Sequence, residues 1–267
     1  MSDNKQQKKL QDIQLEILDI IDQICRQNDL RYSLYAGTML GAVRHQDYIP
    51  WDDDLDICMS REDYEKFLKL WKDEDHPDYI LQNKRNTPSF TQVFSKIRKD
   101  HTTFLQFEWE KGRYHTGIFV DIFPLDRCPD SFLKKIIFRY QCMKYLLYTR
   151  EFIPPRASLL MKTITRIFLV LSSVDSRKRY RERFEQKLIK LSANHKLPIV
   201  SVEMLASLSQ IYSCDLLQEY VDLPFHNKHY PCYVKWNEML TVLYGDYMKL
   251  PPEEERVWKH EHLIIDI

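Results

Sequence analysis

Glycine is scarce in this chain, with five among 267 positions. So few glycines exclude collagen-like, linker-rich and disordered architectures, and leave little room for repeated Gly-rich nucleotide loops. The six cysteines, at 25, 58, 128, 142, 214 and 232, include no C-x-x-C pair. Zinc-ribbon and thioredoxin-type sites lose their usual support, no structural zinc is expected, and the thiols are predicted to be reduced and mostly buried. No apolar run approaches the roughly 20 residues that span a bilayer; the best stretch, Ile167 to Val174, is about 8. The opening MSDNKQQKK is polar and lacks the apolar segment of a secretory leader, so a cytoplasmic protein is expected. Net charge is absent too, with 39 basic and 39 acidic residues.

What is present is apolar mass and a lopsided charge distribution. At 44% hydrophobic the chain can bury a sizeable core. Between Ser131 and Val200 sixteen Lys or Arg face four Asp or Glu, so the remainder carries twelve excess negative charges. That predicts a sided molecule. Three segments follow: a core over 1–130, a basic helical lobe over 131–229, and a tail, 230–267, that returns to the core.

Leu10, Ile13, Ile17, Ile20, Ile21 and Ile24 recur at three-or-four spacing, predicting an amphipathic helix that ends near Asn28 and packs on a sheet. Arg31 to Tyr35 reads as a strand, Ala36-Gly37-Thr38 as a turn, and Met39 to Arg44 as a short helix. Asp54 to Met59 alternates polar with apolar and reads as a half-buried strand. Arg61 to Trp71 has helical spacing; Thr91 to Arg98 and Gly117 to Phe123 read as strands. From Phe132 to about Leu191 the pattern is helical, broken at Pro154 and Pro155. Val234 to Leu243 is again helical. Helices alternate with strands, so the fold class is α+β.

The strongest chemical signal is the acidic run Asp52, Asp53, Asp54, Asp56. Residues two apart on a strand share a face, which would set Asp54 beside Asp56. Adjacent carboxylates repel, and either take up a proton or hold a cation; Mg²⁺, with Mn²⁺ as the alternative ion, is a hard oxygen-seeking partner that leaves positions for phosphate oxygens. A solvated acidic loop is the plain alternative. A calcium loop fails, because its sixth position is Ile57 rather than Gly and its twelfth is Asp63 rather than Glu.

Asp121 lies in the alternating run Ile118 to Ile122, where a charge needs a partner or a metal. It is either a third metal carboxylate, a general base, or a turn cap before Pro124. Gly37-Thr38 would let a phosphate approach backbone N–H groups at a helix start. Arg44, Lys96 and Arg98 are cations near these elements, with Lys96 and Arg98 on one strand face, as a diphosphate requires; surface charge is the competing reading. His45 and His115 carry less weight. Ala157 to Ser172 sets Leu159, Leu160, Ile164, Ile167 and Phe168 in a stripe beside Lys162 and Arg166. Two readings stand for it: a helix lying on an anionic membrane surface, or a packed core helix with a solvated flank.

Three stretches together, YAGTMLGAVRHQDYIPWDDDLDICMSREDYEKF (Tyr35 to Phe67), GIFVDIFPLD (Gly117 to Asp126) and YGDYMKLPP (Tyr244 to Pro252), resemble the LicD family, which includes the fukutin-related proteins. The likeness covers the first half of the chain and the tail; the basic middle carries no motif. It implies a nucleotidyltransferase-like core, a mixed sheet with flanking helices, whose Gly-Ser/Thr turn is Gly37-Thr38 and whose metal acids are Asp54, Asp56 and Asp121. It implies transfer of phosphocholine from CDP-choline to a hydroxyl of a cell-surface glycan precursor of teichoic or lipoteichoic type, releasing CMP. Gly37, Thr38, Arg44, Trp51, Asp53, Lys96, Arg98, Tyr244 and Asp246 are then the expected substrate contacts. Trp51, Tyr48, Trp109 or Trp236 would cage the quaternary ammonium by cation–π attraction. A lipid-linked acceptor would bring the protein to the inner membrane face; no nucleic-acid partner is implied. Transfer of ribitol or glycerol phosphate from a CDP donor, true nucleotidyl transfer with loss of pyrophosphate, and a catalytically idle binding module are the alternatives.

Overall fold

The computed structural model describes residues 2–105, 110–151, 158–203, 211–257 and 264–266. In chain order the elements are α1 (Ser2–Gln27), β1 (Tyr32–Leu34), α2 (Ala36–His45), β2 (Asp56–Ser60), α3 (Arg61–Leu70), β3 (Tyr79–Gln82), β4 (Ser95–Lys99), β5 (Thr103–Leu105) and β6 (Phe119–Arg127). Then come α4 (Phe132–Arg150), α5 (Leu159–Leu171), α6 (Val174–Ser192), β7 (Ile199–Ser201), β8 (Ile211–Tyr212), β9 (Tyr220–Phe225), β10 (Lys228–Tyr233), α7 (Trp236–Tyr244) and β11 (Ile264–Asp266).

The expected α1 forms because its apolar side chains stack on one face: Leu10, Ile17, Leu18, Ile21 and Cys25 are wholly buried. Each of these leucines and isoleucines contributes about 1.5–3 kcal/mol on burial. A seven-stranded mixed sheet runs β1-β2-β6-β4-β3, with β7 and β8 continuing from β6. Among the described strands of this sheet only β2 and β6 are parallel; the other pairs are antiparallel. Long β6 serves two partners in turn, β4 along Phe119 to Ile122 and β7 along Leu125 to Arg127. All nine of its residues are buried, which is why it reads as an apolar run interrupted by acids.

At the far end of the sheet from Asp56 and Asp121, Arg61 donates from Nε and Nη2 to the two oxygens of Asp126, both at 2.8 Å. This buried fork ties the start of α3 to β6. Ser60 caps α3 by accepting from the Asp63 amide.

Three expectations shift. The second strand starts at Asp56, two residues later than its alternation suggested, so Asp54 precedes the strand. Gly37 and Thr38 belong to the first turn of α2 instead of a separate turn before it. Among the described residues, the helices of the expected helical lobe are α4, α5 and α6; Ile199 to Ser201 then rejoins the main sheet beside β6, and β9 and β10 form a hairpin. Short buried strands such as β7 lack a period long enough to read. Pro154 and Pro155 lie outside the described residues. All six cysteines are free, and Cys214 alone is exposed.

Candidate active site

The acids gather where β2 begins, beside the start of α2 and near the start of β6. Asp56 is fixed through its backbone. Its N–H donates to Thr38 Oγ1 at 2.8 Å, and its carbonyl accepts from the Tyr35 N–H at 2.9 Å. The preceding carbonyl, of Leu55, accepts from the Asp121 N–H at 2.9 Å. Asp56 and Asp121 are register partners on adjacent parallel strands. Thr38, 3% exposed, thus bonds the acid strand itself.

Gly37 has a steric reason to be glycine: a Cβ there would stand 2.6 Å from Asp52 Oδ2. The backbone enters this turn through Ala36 at φ 44°, left-handed and costly for a residue with a side chain, a kind of strain that collects at working sites. Gly41, one turn on, lets the Asp47 carbonyl approach α2; a Cβ would meet it at 2.5 Å. The carboxylates of Asp52, Asp53 and Asp54 can present oxygens within 4.8 Å of one another, and Asp53 is fully buried. The Asp53 carbonyl accepts from Gln14 Nε2 on α1 at 2.9 Å, which pins the acidic loop to the core.

The electrostatics join both groups of acids. Burial raises the pKa of Asp56 well above the ordinary carboxylate value, and the charges of Asp54, Asp121 and Asp52 raise it further against the pull of Lys96. Burial also raises Asp121, opposed by Lys96 and Arg98 and reinforced by Asp54. Asp52, Asp54, Asp56 and Asp121 therefore share one repulsive field, a donor set of hard oxygens that suits Mg²⁺ or Mn²⁺. The tightest oxygen cluster among the described residues is Asp52, Asp53 and Asp54, rather than the expected Asp54, Asp56 and Asp121. Asp121 instead pairs with Lys96, whose Nζ lies 2.7 Å from one carboxylate oxygen and 3.0 Å from the other.

The expected cations fare differently. Lys96 is buried over the Phe119 ring, 3.2 Å from its centroid, and serves Asp121. Arg98 is 1% exposed and donates to Gln82 Oε1 at 2.8 Å and the Gly117 carbonyl at 2.7 Å. Its burial removes the competing surface-charge reading, and these two bonds brace the sheet from within. Arg44 is half-buried; its Nη1 donates to the Tyr247 carbonyl at 2.8 Å, tying the tail to α2. Burial lowers its pKa, with Arg256 adding to the fall.

Tyr244 reaches the acids. Its surface is 43% open, yet its hydroxyl pKa is raised by burial and by Asp56, Asp52 and Asp54. Asp246 is exposed in the following turn. Trp51 is half-buried, with His45 edge-on at 6.3 Å and the Arg256 guanidinium 5.9 Å over its ring. Tyr48 is buried against Phe225 at 4.9 Å and so leaves the cage candidates. Trp236 packs on the main core, and Trp109 lies outside the described residues. His115, away from this cluster, accepts from the Gly117 amide at 3.1 Å through Nδ1 and faces Asp100 with Nε2. Asp52 and Arg256 were missed as site residues. Asp52 was visible in the acidic run, whereas nothing in PPEEER distinguishes Arg256 from a solvated charge.

A family model described as LicD/FKTN/FKRP, nucleotidyltransferase domain, matches residues 29–165, the span holding every acid of this cluster. The chain belongs to the LicD family. Over 271 aligned residues, covering 92% of each chain, it is 31% identical to the lipopolysaccharide cholinephosphotransferase LicD of Haemophilus influenzae. An uncharacterised protein of Rickettsia prowazekii is 29% identical over 110 residues, 41% of this chain and 38% of its own. One of Rickettsia typhi is 46% identical over 48 residues, 18% of this chain and 16% of its own. The mixed sheet with flanking helices agrees with the nucleotidyltransferase description, and the LicD-type resemblance seen in the motifs holds along nearly the whole chain.

Proposed function

We propose that this LicD-family protein transfers phosphocholine from CDP-choline to a sugar hydroxyl of a cell-surface glycan precursor, with CMP as the leaving group. The observation that carries this reading is the near full-length likeness to a cholinephosphotransferase, with the Asp52 to Asp56 run and Asp121 drawn into one charged cluster.

Asp52, Asp53, Asp54 and Asp56, with Asp121 behind them, would hold Mg²⁺, which when bound offsets negative charge on the diphosphate. The first turn of α2, at Gly37 and Thr38, presents backbone N–H groups that favour an anion. Arg44 and Arg256 supply positive charge on the same side. The acceptor oxygen forms a bond to the phosphorus bearing choline, the bond from that phosphorus to the CMP oxygen breaks, and the hydroxyl proton passes to a carboxylate of the cluster. Trp51 and Tyr244 are the aromatic faces available to a quaternary ammonium.

Teichoic or lipoteichoic acid was the acceptor implied by the motifs, while the Haemophilus relative's name favours lipopolysaccharide. The assay is CMP release from CDP-choline, CDP-ribitol and CDP-glycerol, with Mg²⁺ or EDTA and with either glycan. Metal- and acceptor-dependent CMP from CDP-choline, lost in Asp54→Ala, is expected. Pyrophosphate release from a nucleoside triphosphate and a sugar phosphate would instead make it a nucleotidyltransferase.

A further inference from the structure

α4 has two apolar sides. Phe138, Cys142 and Tyr145 point inward onto Phe184 and Leu188 of α6. At about 100° per residue, Phe132, Leu133, Ile136, Ile137, Tyr140 and Met143 fall on the opposite arc. All six are exposed, Phe132 at 74% and Leu133 at 72%. α5 repeats the arrangement. Leu160, Ile164, Ile167 and Leu171 share an open arc, with Leu171 82% exposed, while Thr165 is buried on the other side. Arg177 of α6 holds this helix by donating to the Leu169 carbonyl at 2.9 Å. The stripe in α5 is thus no packed core. Scattered exposed apolar residues are ordinary, but two successive helices that each present a continuous apolar arc mark a surface with a partner.

Charge identifies that partner. Lys134 and Arg166 are exposed and Lys162 is half-exposed on these same two helices, within the segment whose sixteen cations face four acids. A second copy docking face to face would set this positive excess against itself. Anionic lipid headgroups complement it, and apolar side chains fit the acyl boundary beneath them. No described helix is long and apolar enough to cross a membrane, so the contact is lateral. We infer that the outer face of α4 and α5 docks onto an anionic phospholipid bilayer. The docked helix also reaches the acids. Arg150, in its last turn, forms an ion pair with Glu203, and Glu203 feels the charge of Asp121. Docking would hold the acid cluster near groups embedded in the same membrane. The inference does not depend on which group the enzyme transfers.

Co-sedimentation of the full chain with vesicles tests it, using phosphatidylcholine alone or mixed with phosphatidylglycerol, and no nucleotide. The wild type is expected to bind the anionic vesicles and to release them as salt rises. Leu133→Glu with Ile137→Glu should lower partitioning at least about tenfold. Leu160→Glu with Ile167→Glu gives an independent pair should the first fail to fold by circular dichroism. Lys134→Glu with Arg166→Glu should remove the preference for anionic over neutral lipid. A wild type that stays in solution with anionic vesicles at low salt overturns the inference. So does a dimer in sedimentation equilibrium that the apolar substitutions dissociate while vesicle binding is absent.

Discussion

Gly37→Ala separates the site from the scaffold. The added methyl would stand 2.6 Å from Asp52 Oδ2, whereas ordinary contact begins near 3.4 Å, so the carboxylate must retreat by about 0.8 Å. The obstructing atom is the end of a side chain that can rotate, and Gly37 lacks a left-handed φ, so the backbone need not change. Alanine is favoured over glycine within a helix by about 0.8–1 kcal/mol, which offsets the crowding. Stability should therefore stay within about 1 kcal/mol, a melting shift of no more than about 2–4 °C. Activity should respond differently, because displacement of a charged group by nearly 1 Å costs on the order of 10²-fold in rate. Gly41→Ala is the comparison, since its methyl would meet backbone at 2.5 Å and nothing nearby can rotate away. It should destabilise by about 1–3 kcal/mol. Thermal unfolding by circular dichroism and CMP release at saturating Mg²⁺ read both quantities. A Gly37→Ala enzyme with wild-type turnover would refute the placement of Asp52 at the working site. A large loss of stability would show that Asp52 cannot yield.

Thr38→Val leaves the buried Asp56 amide without its acceptor and should cost about 1–3 kcal/mol in urea unfolding, with Thr38→Ser retaining most of it. Asp56 and Asp121 have raised pKa values in the fold, so their contribution to stability is fully present below the ordinary carboxylate range and is lost as pH rises through the raised values. The metal-free protein should accordingly lose stability as pH rises above the ordinary carboxylate range. Mg²⁺ at about 100 times its Kd should restore about 2.7 kcal/mol at pH 8, and the same concentration less as pH is lowered toward the ordinary carboxylate range. An Mg²⁺ increment that does not change with pH would count against the acids as the binding site. Asp56→Asn should raise the metal-free melting temperature at pH 8 and abolish the increment. Asp126→Asn leaves Arg61 buried with a weakened partner and should destabilise by about 3–5 kcal/mol, whereas Arg61→Met with Asp126→Leu should recover much of that in the same unfolding assay.

The sequence by itself determined the α+β class, α1, the acidic run and the family, because these rest on local order: a helical period over Leu10 to Ile24, and Asp-x-Asp a short way after Gly-Thr. It also carried the exposed stripe of α5, though periodicity could not say whether that stripe faced core or solvent. Tertiary structure decided what depends on distant neighbours. Lys96 and Arg98 share a strand face, yet Lys96 meets Asp121 and Arg98 is consumed by Gln82 and Gly117, partners no spacing foretells. Thr38 looked like a phosphate contact and bonds the Asp56 amide across the fold. Arg256 and Tyr244 reach α2 and the acids only because α7 returns the tail to them. A side chain's type and local period are written in the chain, but the charge or dipole that satisfies it lies wherever folding brings it. Burial then sets how strongly that pairing counts.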